Sequence, residues 1–104
     1  GSMLEDQYDT FFNTLANRKR LRILDYLKEH DEANVTTISD SLSLNQSTVS
    51  QNLLRLESCG FVEREKDGKQ RIYRINEDTI GPLMEIIDEH VENYCSNLCD
   101  SCED

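Results

Sequence analysis

Apolar residues recur at steps of three and four up to Gly60, a spacing that is typical of amphipathic helices. The pattern predicts four helices, and Gly60 is expected to stop the fourth. Thr36 or Thr37 is the expected cap of the third helix, and Asn45 or Ser47 that of the fourth. The apolar residues of the four helices are Leu4, Tyr8, Phe11, Phe12 and Leu15; Leu21, Ile23, Leu24 and Leu27; Ile38 and Leu42; and Val49, Leu53, Leu54 and Leu56.

The period changes after Gly60 and changes again after Asn76. FVEREKDGKQRIYRI alternates apolar and polar residues on both sides of Asp67-Gly68, which is the strongest short-range hairpin signal. A helical stripe follows, with Pro82 in the first turn, where its missing N–H is harmless. The stripe consists of Ile80, Leu83, Ile87, Val91, Tyr94 and Leu98. The predicted fold is mainly α with a small β-hairpin, in the order α-α-α-α-β-β-α, which is a winged helix-turn-helix.

The length of 104 residues is enough for one domain, predicted here over 3–104 with a last helix at about 79–99. Gly1 and Ser2 before Met3 are typical of a tag-cleavage remnant. No apolar run is long enough to cross a membrane, and no signal peptide is visible. The expected compartment is therefore the cytoplasm, with no membrane partner.

The net charge of −10 argues, taken alone, against a nucleic-acid partner, because DNA binding needs positive charge. The local distribution changes this interpretation. Every Lys and Arg lies between Arg18 and Arg74, and the chain from Asn76 onward has neither. The sequence thus combines a mixed front with a uniformly acidic tail.

The fourth helix begins with side chains suited to base edges, since the second helix of a helix-turn-helix presents its N-terminal residues to the major groove. Gln can pair with adenine, and Ser or Thr can reach bases or phosphates. Arg55 is placed for a phosphate. The candidate base-contacting residues are Gln46, Ser47, Thr48, Ser50 and Gln51, and the basic residues of the hairpin tip are Lys66, Lys69 and Arg71. Each feature alone also fits a well-capped helix or a soluble hairpin, but their ordered combination favours binding to double-stranded DNA.

LANRKRLRIL at 15–24, ISDSLSLNQSTVSQNLLRLESCGFVEREKDGKQRIYRI at 38–75 and the long last helix resemble the ArsR/SmtB family of winged-helix repressors. The likeness covers nearly the whole chain and is most specific at 47–62, which is close to the family's S-x-S-T-V-S-x-H-L-x-x-L-x-x-A-G-L-V run. Asn52 stands where the family usually has His, and Cys59 where it usually has Ala. The resemblance implies a homodimer that binds a palindromic operator and releases it when an effector binds.

The resemblance also implies that the last helix pairs with its twin and with the first helix. The apolar stripe fits that interface, and its expected dimer residues are Leu83, Ile87, Val91, Tyr94 and Leu98. The carboxylates of the tail would then lie away from the DNA.

Effectors of such repressors are often metals or metalloids, and two of the family's usual sites are absent or incomplete here. The helix before the recognition helix carries no Cys-x-Cys motif around 39–41. On the last helix, Asp88 and His90 match the first half of an Asp-x-His site, but Ser101 and Asp104 stand where the partner half is expected. A third kind of site, three cysteines that sense trivalent arsenic, is resembled by CSNLCDSC.

Cys95, Cys99 and Cys102 are therefore the candidate metal ligands, with Asp88 and His90 as additional ones. Thiolates favour soft ions such as As(III), Cd(II) or Zn(II). On a straight helix the first and last of these cysteines would be about 10 Å apart along the axis. One ion could bind all three only if the helix unwinds near 97–100 or if both chains contribute.

Other interpretations of the cysteines remain open. They could pack along the dimer interface or lie in a frayed terminus. Alternatively, a disulfide between Cys99 and Cys102, or one between the two subunits, could act as a redox switch. A further alternative is a protein-interaction module that has kept the fold and lost DNA binding. No nucleophile–base pair or Gly-rich phosphate loop is evident, so an enzyme is not expected.

Overall fold

The computed structural model describes residues 3–95. It confirms the winged helix-turn-helix order and adds one short strand. The elements in chain order are α1 Met3–Leu15, α2 Arg18–His30, β1 Glu32–Ala33, α3 Val35–Leu42, α4 Gln46–Ser58, β2 Val62–Asp67, β3 Gln70–Ile75 and α5 Ile80–His90. The helix continues with π geometry from Val91 to Cys95, whereas the sequence predicted one helix over about 79–99, the end of which lies outside the described residues.

Strand β1 is the element that sequence reasoning missed. Its two residues pair antiparallel with β3, Glu32 opposite Arg74 and Ala33 opposite Tyr73. The wing is therefore a three-stranded sheet in the order β1-β3-β2 rather than a free hairpin. Two residues are too few to display an alternating pattern of apolar and polar side chains, so the sequence does not predict this strand.

The helix caps lie partly elsewhere than expected. The side chain of Asn34 accepts a hydrogen bond from the backbone N–H of Thr37 at 2.7 Å, so the cap of α3 lies two residues before Thr36 and three before Thr37, the predicted caps. Asn45 occupies the cap position of α4 but makes no side-chain cap bond. At the other end of α4, Gly60 has a φ of +79°. The N–H of Gly60 donates to the carbonyl of Glu57 and that of Phe61 to Leu56, which forms the predicted glycine stop.

The hairpin loop lies one residue later than the Asp-Gly signal suggested. Asp67 still pairs with Gln70, so the two loop residues are Gly68 and Lys69. Gly68 has a φ of +63°, as a two-residue loop with glycine at its first position requires. The shift leaves Lys66 in the strand and places Lys69 at the tip.

The hydrophobic core lies where α2, α3 and α4 meet the base of the sheet. Its fully buried side chains are Ile23, Leu24, Leu27, Ile38, Val49, Leu53, Leu56, Phe61 and Ile75. Phe11 of α1 stacks on Phe61 with ring centroids 4.9 Å apart. The helical spacing of the sequence predicts Leu54 on the inward face of α4 together with Val49, Leu53 and Leu56, and this prediction is wrong for Leu54, because its side chain is 51% exposed.

The apolar stripe of α5 and its continuation lies partly in the chain's own core and partly on its exposed surface. Ile80 is buried in the chain's own core and Leu83 packs against it, together with Met84, which the stripe did not include. Ile87 is half-buried. Beyond these, Ile86, Val91 and Tyr94 are exposed, and α1 exposes Leu4, Tyr8 and Phe12. In the single chain, α1 and the last helix with its continuation therefore each present three uncovered apolar side chains, whereas α2 and α4 present one each, Leu21 and Leu54.

The two asparagines at the starts of α3 and α4 form a matched pair for a stability test. Asn34→Ala removes a cap bond and the bond from its amide to Gln70 at 3.1 Å. It should lower the free energy of unfolding by about 1 kcal/mol. Asn45→Ala removes no cap bond and should change it by only a few tenths of that. Urea denaturation at one fixed protein concentration measures both, and equal losses would contradict the assignment of the caps.

Candidate nucleic-acid interface

The core packing of α4 determines which of its side chains face solvent. Val49, Leu53 and Leu56 are fully buried on one side. Because a helix has 3.6 residues per turn, the side chains on the opposite side of α4 point outward. This outer face carries Gln46, Ser47 and Gln51, which are exposed, with Thr48 and Ser50 half-buried beside them. All five predicted base-contacting residues thus lie at the accessible N-terminal half of one helix.

Leu54 also belongs to this outer face, three residues after Gln51. The sequence pattern places Leu54 in the core because helical spacing alone does not distinguish a core leucine from an exposed one. The face is therefore not uniformly polar. An apolar side chain there offers contact with a thymine methyl or a sugar rather than a hydrogen bond.

The wing has two chemically different faces, because alternate side chains of a strand point to opposite sides. On one face Arg74 donates to Glu65 at 2.7 Å and to Glu32 at 3.0 Å, so that two carboxylates share one positive charge. On the other face Arg64 precedes Lys66, and the strand register places Lys66 directly opposite Arg71. The Nε of Arg64 lies 3.4 Å from a carboxylate oxygen of Glu57 on α4. The basic face of the wing is therefore the one turned toward α4.

Two like charges opposite each other in a sheet destabilise it. Lys66 and Arg71 are both exposed and no carboxylate is placed between them across the ladder. An anion bound between the two side chains would offset their repulsion. A cleft of about 760 Å³ opens beside it, lined by Asn34, Val35, Thr36, Lys66, Gly68, Lys69, Gln70 and Arg71. The cleft joins the three predicted wing cations to the start of α3.

Arg55 has a structural partner that the sequence did not suggest. It is exposed, yet its Nε donates to the hydroxyl of Thr14 in α1 at 3.2 Å. Arg55 therefore ties α4 to α1, and its contact to a phosphate stays a prediction. Arg64 is the cation that sequence reasoning overlooked, although its even spacing from Lys66 already placed the two on one face of a strand.

The residues considered for metal binding on α5 are engaged with other groups. Lys28 of α2 forms a salt bridge with Asp88, and this hydrogen bond raises the pKa of the Lys28 ammonium above its ordinary value. The ring of His90 packs against Tyr94 with centroids 4.8 Å apart. Within residues 3–95 no group of three or more His, Cys, Asp or Glu is arranged to hold a metal ion. Asp88 and His90, as placed, do not fit a metal site by themselves.

The cysteines fall into two groups. Cys59 is half-buried, packs against the core and lies with its Sγ 3.4 Å from the hydroxyl of Thr14, so it contributes to packing. The side chain of Cys95, together with Cys99, Cys102 and Leu98, lies outside the described part of the chain. The three-thiol site therefore stays a prediction.

Comparison with known proteins agrees with the fold and the interface. The profile of the bacterial regulatory protein arsR family matches residues 17–64. HTH-type transcriptional regulator Rv0324 of Mycobacterium tuberculosis is 36% identical over 101 residues, which are 93% of this chain and 44% of that protein. The cadmium resistance transcriptional regulatory protein CadC of Listeria innocua is 36% identical over 76 residues, or 73% of this chain and 64% of CadC. This chain thus spans less than half of Rv0324 and less than two thirds of CadC.

The solution structure of the homodimeric winged helix-turn-helix DNA-binding domain of Mb0332 from Mycobacterium bovis has a TM-score of 0.80 to this chain. The two are 33% identical, and the match covers 88% of this chain and 83% of that one. The fold and the outer face of α4 define a DNA-binding transcriptional regulator of the winged helix-turn-helix class. More narrowly, the chain belongs to the arsR family, whose members are regulators rather than enzymes, as the sequence predicted. No helix between residues 3 and 95 is long and apolar enough to span a membrane.

Proposed function

We propose that the chain is a homodimeric repressor that binds a double-stranded operator through α4 and the wing. A single observation carries this proposal: the basic face of the wing is turned toward the helix whose outer face presents Ser47 and Gln51. Positive charge and hydrogen-bonding groups are thereby brought together in a protein of net charge −10. Since an operator is chromosomal DNA, the proposed compartment is the cytoplasm.

In the complex, the N-terminal half of α4 enters the major groove. Gln46 and Gln51 are long enough to read base edges, and Ser47, Thr48 and Ser50 hydrogen-bond bases or phosphates. Lys66, Lys69 and Arg71 neutralise the backbone beside the groove, which relieves the repulsion between the opposed Lys66 and Arg71. The acidic tail carries no Lys or Arg and disfavours approach of DNA from its own side.

The dimer forms through α1 and the last helix, where the single chain leaves apolar side chains uncovered. Tyr94 is 76% exposed and Ile86 is 63% exposed. Apolar side chains of this size stabilise an association when they are buried. The homodimeric state of the Mb0332 domain, which has the same fold, supports this arrangement. Val91 joins this surface directly, and Leu83 and Ile87 border it from the core side.

The effector is a thiophilic ion, As(III), Zn(II) or Cd(II), held by Cys95, Cys99 and Cys102. The support is the donor set, since three soft thiolates follow the helix that forms the dimer, and the relation to CadC, a cadmium resistance regulator. Asp88 does not serve as an additional ligand in this proposal, because Lys28 already holds its carboxylate. The ion favours a dimer that no longer fits the operator, through a coupling of about 1–3 kcal/mol.

DNA recognition is tested with Gln51→Ala and Lys69→Gln on the protein's own promoter and on a mixed-sequence duplex. Gln51→Ala should reduce the preference for the promoter by about 1–3 kcal/mol, because it removes a base contact. Lys69→Gln should weaken both duplexes alike and lower the slope of log affinity against log salt by about one. Fluorescence anisotropy at several salt concentrations measures both, with Gln7→Ala of α1 as the matched control. Wild-type protein that binds neither duplex at low salt would favour the interaction module instead.

Dimerisation is tested by placing a charge on α5. Ile86→Asp should raise the dimer dissociation constant about a hundredfold, because twofold symmetry removes about 1.5 kcal/mol of burial twice. Leu54→Asp is the control, since Leu54 is similarly exposed but lies on α4. Sedimentation velocity over a concentration series measures the constants. A dimer unchanged by Ile86→Asp and split by Leu54→Asp would place the interface elsewhere.

Metal sensing is tested by replacing Cys95, Cys99 and Cys102 together with serine. The triple variant should lose binding of Cd(II), Zn(II) and As(III) by the reduced protein. Asp88→Asn should bind each ion about as tightly as wild type does, because its carboxylate is held by Lys28. Ion titrations, followed by thiolate-to-metal absorption for Cd(II) and by free-thiol counting for all three, measure this. Affinity that survives the triple substitution would refute the proposal, and release of DNA by oxidant alone would support the redox alternative.

A further inference from the structure

A polar junction connects the end of α1 to the recognition helix. It consists of Thr14 of α1, Arg20 of α2, and Asn52 and Arg55 of α4, and is called the α1–α4 junction below. Thr14 is completely buried although it is polar, and it lies one helical turn after Phe11, which stacks on the core. A buried hydroxyl needs partners, and those of Thr14 are a carbonyl of α1 itself and two side chains of α4 and its C-cap.

The hydroxyl of Thr14 is fully used. It donates its only hydrogen to the carbonyl of Thr10 at 2.8 Å and accepts from the Nε of Arg55 at 3.2 Å. With that hydrogen committed, the thiol of Cys59 is the donor in the remaining contact at 3.4 Å. One hydroxyl of α1 therefore holds both Arg55 within α4 and the residue that ends α4.

Arg20 supplies the second half of the junction. Its Nε donates to the carbonyl of Thr14 at 2.6 Å, and its two terminal nitrogens donate to the carbonyl of Asn13 at 3.3 Å and to Oδ1 of Asn52 at 3.2 Å. The amide nitrogen of Asn52 then donates to the carbonyl of Thr48 at 2.9 Å. Because a guanidinium is planar, this fork fixes the distance and the angle between the end of α1 and the middle of α4.

Apolar packing also holds α1 to the body of the chain. Phe11 and Leu15 pack on the core, whereas Leu4, Tyr8 and Phe12 point to solvent. In the proposed dimer those three side chains are covered by the partner. The inner side of α1 is then bound to the recognition helix and its outer side to the other subunit.

We propose that the α1–α4 junction positions the recognition helix relative to the dimer interface, so that Thr14, Arg20 and Asn52 determine operator affinity without touching DNA. This inference rests on the proposed function, because it presumes an operator and a dimer. Its physical basis is that two half-sites must meet two helices at a fixed separation. A single half-site would tolerate a small tilt of α4. The same tilt lowers the affinity for the whole operator, because both recognition helices must fit their half-sites at the same time.

The test compares Thr14→Val, which removes the hydroxyl and keeps the shape, with Thr14→Ser, which keeps the hydroxyl. Thr14→Val should weaken binding to the promoter duplex about tenfold and leave binding to a mixed-sequence duplex within about twofold, whereas Thr14→Ser should restore promoter affinity. Arg20→Lys keeps the charge and loses the fork, so it should resemble Thr14→Val. Thermal unfolding and sedimentation velocity of each variant check that fold and dimer persist.

The outcomes separate this inference from the proposed function. If the wild type prefers its promoter, Gln51→Ala reduces that preference and Thr14→Val behaves like Thr14→Ser, the junction is only structural and the inference fails. Equal weakening of promoter and mixed-sequence binding would also overturn it, because repositioning must act on the specific complex. If the wild type shows no promoter preference, the proposed function itself fails. Arg20→Lys combined with Asn52→Ala gives an independent check, since the two changes should be non-additive if their hydrogen bond acts in positioning.

Discussion

The packing of Val49, Leu53 and Leu56 into the core is the constraint on which the rest of the interface depends. These three side chains are completely buried, so the rotation of α4 about its own axis cannot change without exposing them. Each would cost about 1.5–3 kcal/mol to expose. The polar outer face is therefore held by apolar contacts on the opposite side of the same helix. The hydrogen bonds of the α1–α4 junction act on the remaining freedom, the tilt of the helix relative to α1.

In the wing, positive and negative side chains that are neighbours in the sequence lie on different faces of the sheet, although the protein as a whole is strongly acidic. The wing carries its carboxylates on one face, where Arg74 is the cation among them, and Arg64, Lys66 and Arg71 on the other; the strand register achieves this within six residues of each strand. A sum over the sequence hides this, because Glu63 and Glu65 cancel Arg64 and Lys66 in composition although they point in opposite directions. The sum also hides the ion pair of Asp88 on α5, because its partner Lys28 comes from α2. Partners of an acidic protein are therefore better judged from strand and helix faces than from net charge.

Most of the fold could be predicted because its long elements carry clear periods. Eleven or more residues of helical spacing identified α1, α2, α4 and α5, and Gly60 and Gly68 marked the stop and the turn. The misses have local causes. Strand β1 is too short to show a pattern, and the cap of α3 depended on whether Asn34 or a threonine turned inward, which spacing does not determine. Leu54 has the spacing of a core residue, and only the width of the buried surface shows that it lies outside.

The candidate site was predictable in part for a similar reason. Residues at the start of α4 and in the wing follow from position in the fold. The contacts of Arg55 and Asp88 join residues that are 41 and 60 positions apart in the chain, and no local pattern reports such pairs. Thr14 did leave a signal: a polar residue three positions after Phe11 lies on the inner side of an amphipathic helix, where it needs a partner.

The opposed Lys66 and Arg71 give ionic strength two contrary effects on this molecule. In the unliganded protein, added electrolyte screens their mutual repulsion and so favours pairing at the end of the hairpin. In the proposed complex with DNA, the same ions compete with the wing for phosphates and weaken binding. Without DNA, the wing is thus best ordered at the salt concentrations at which it binds DNA least. The strand pairing that is weakest in dilute buffer becomes firmest when a polyanion takes the place of dissolved salt.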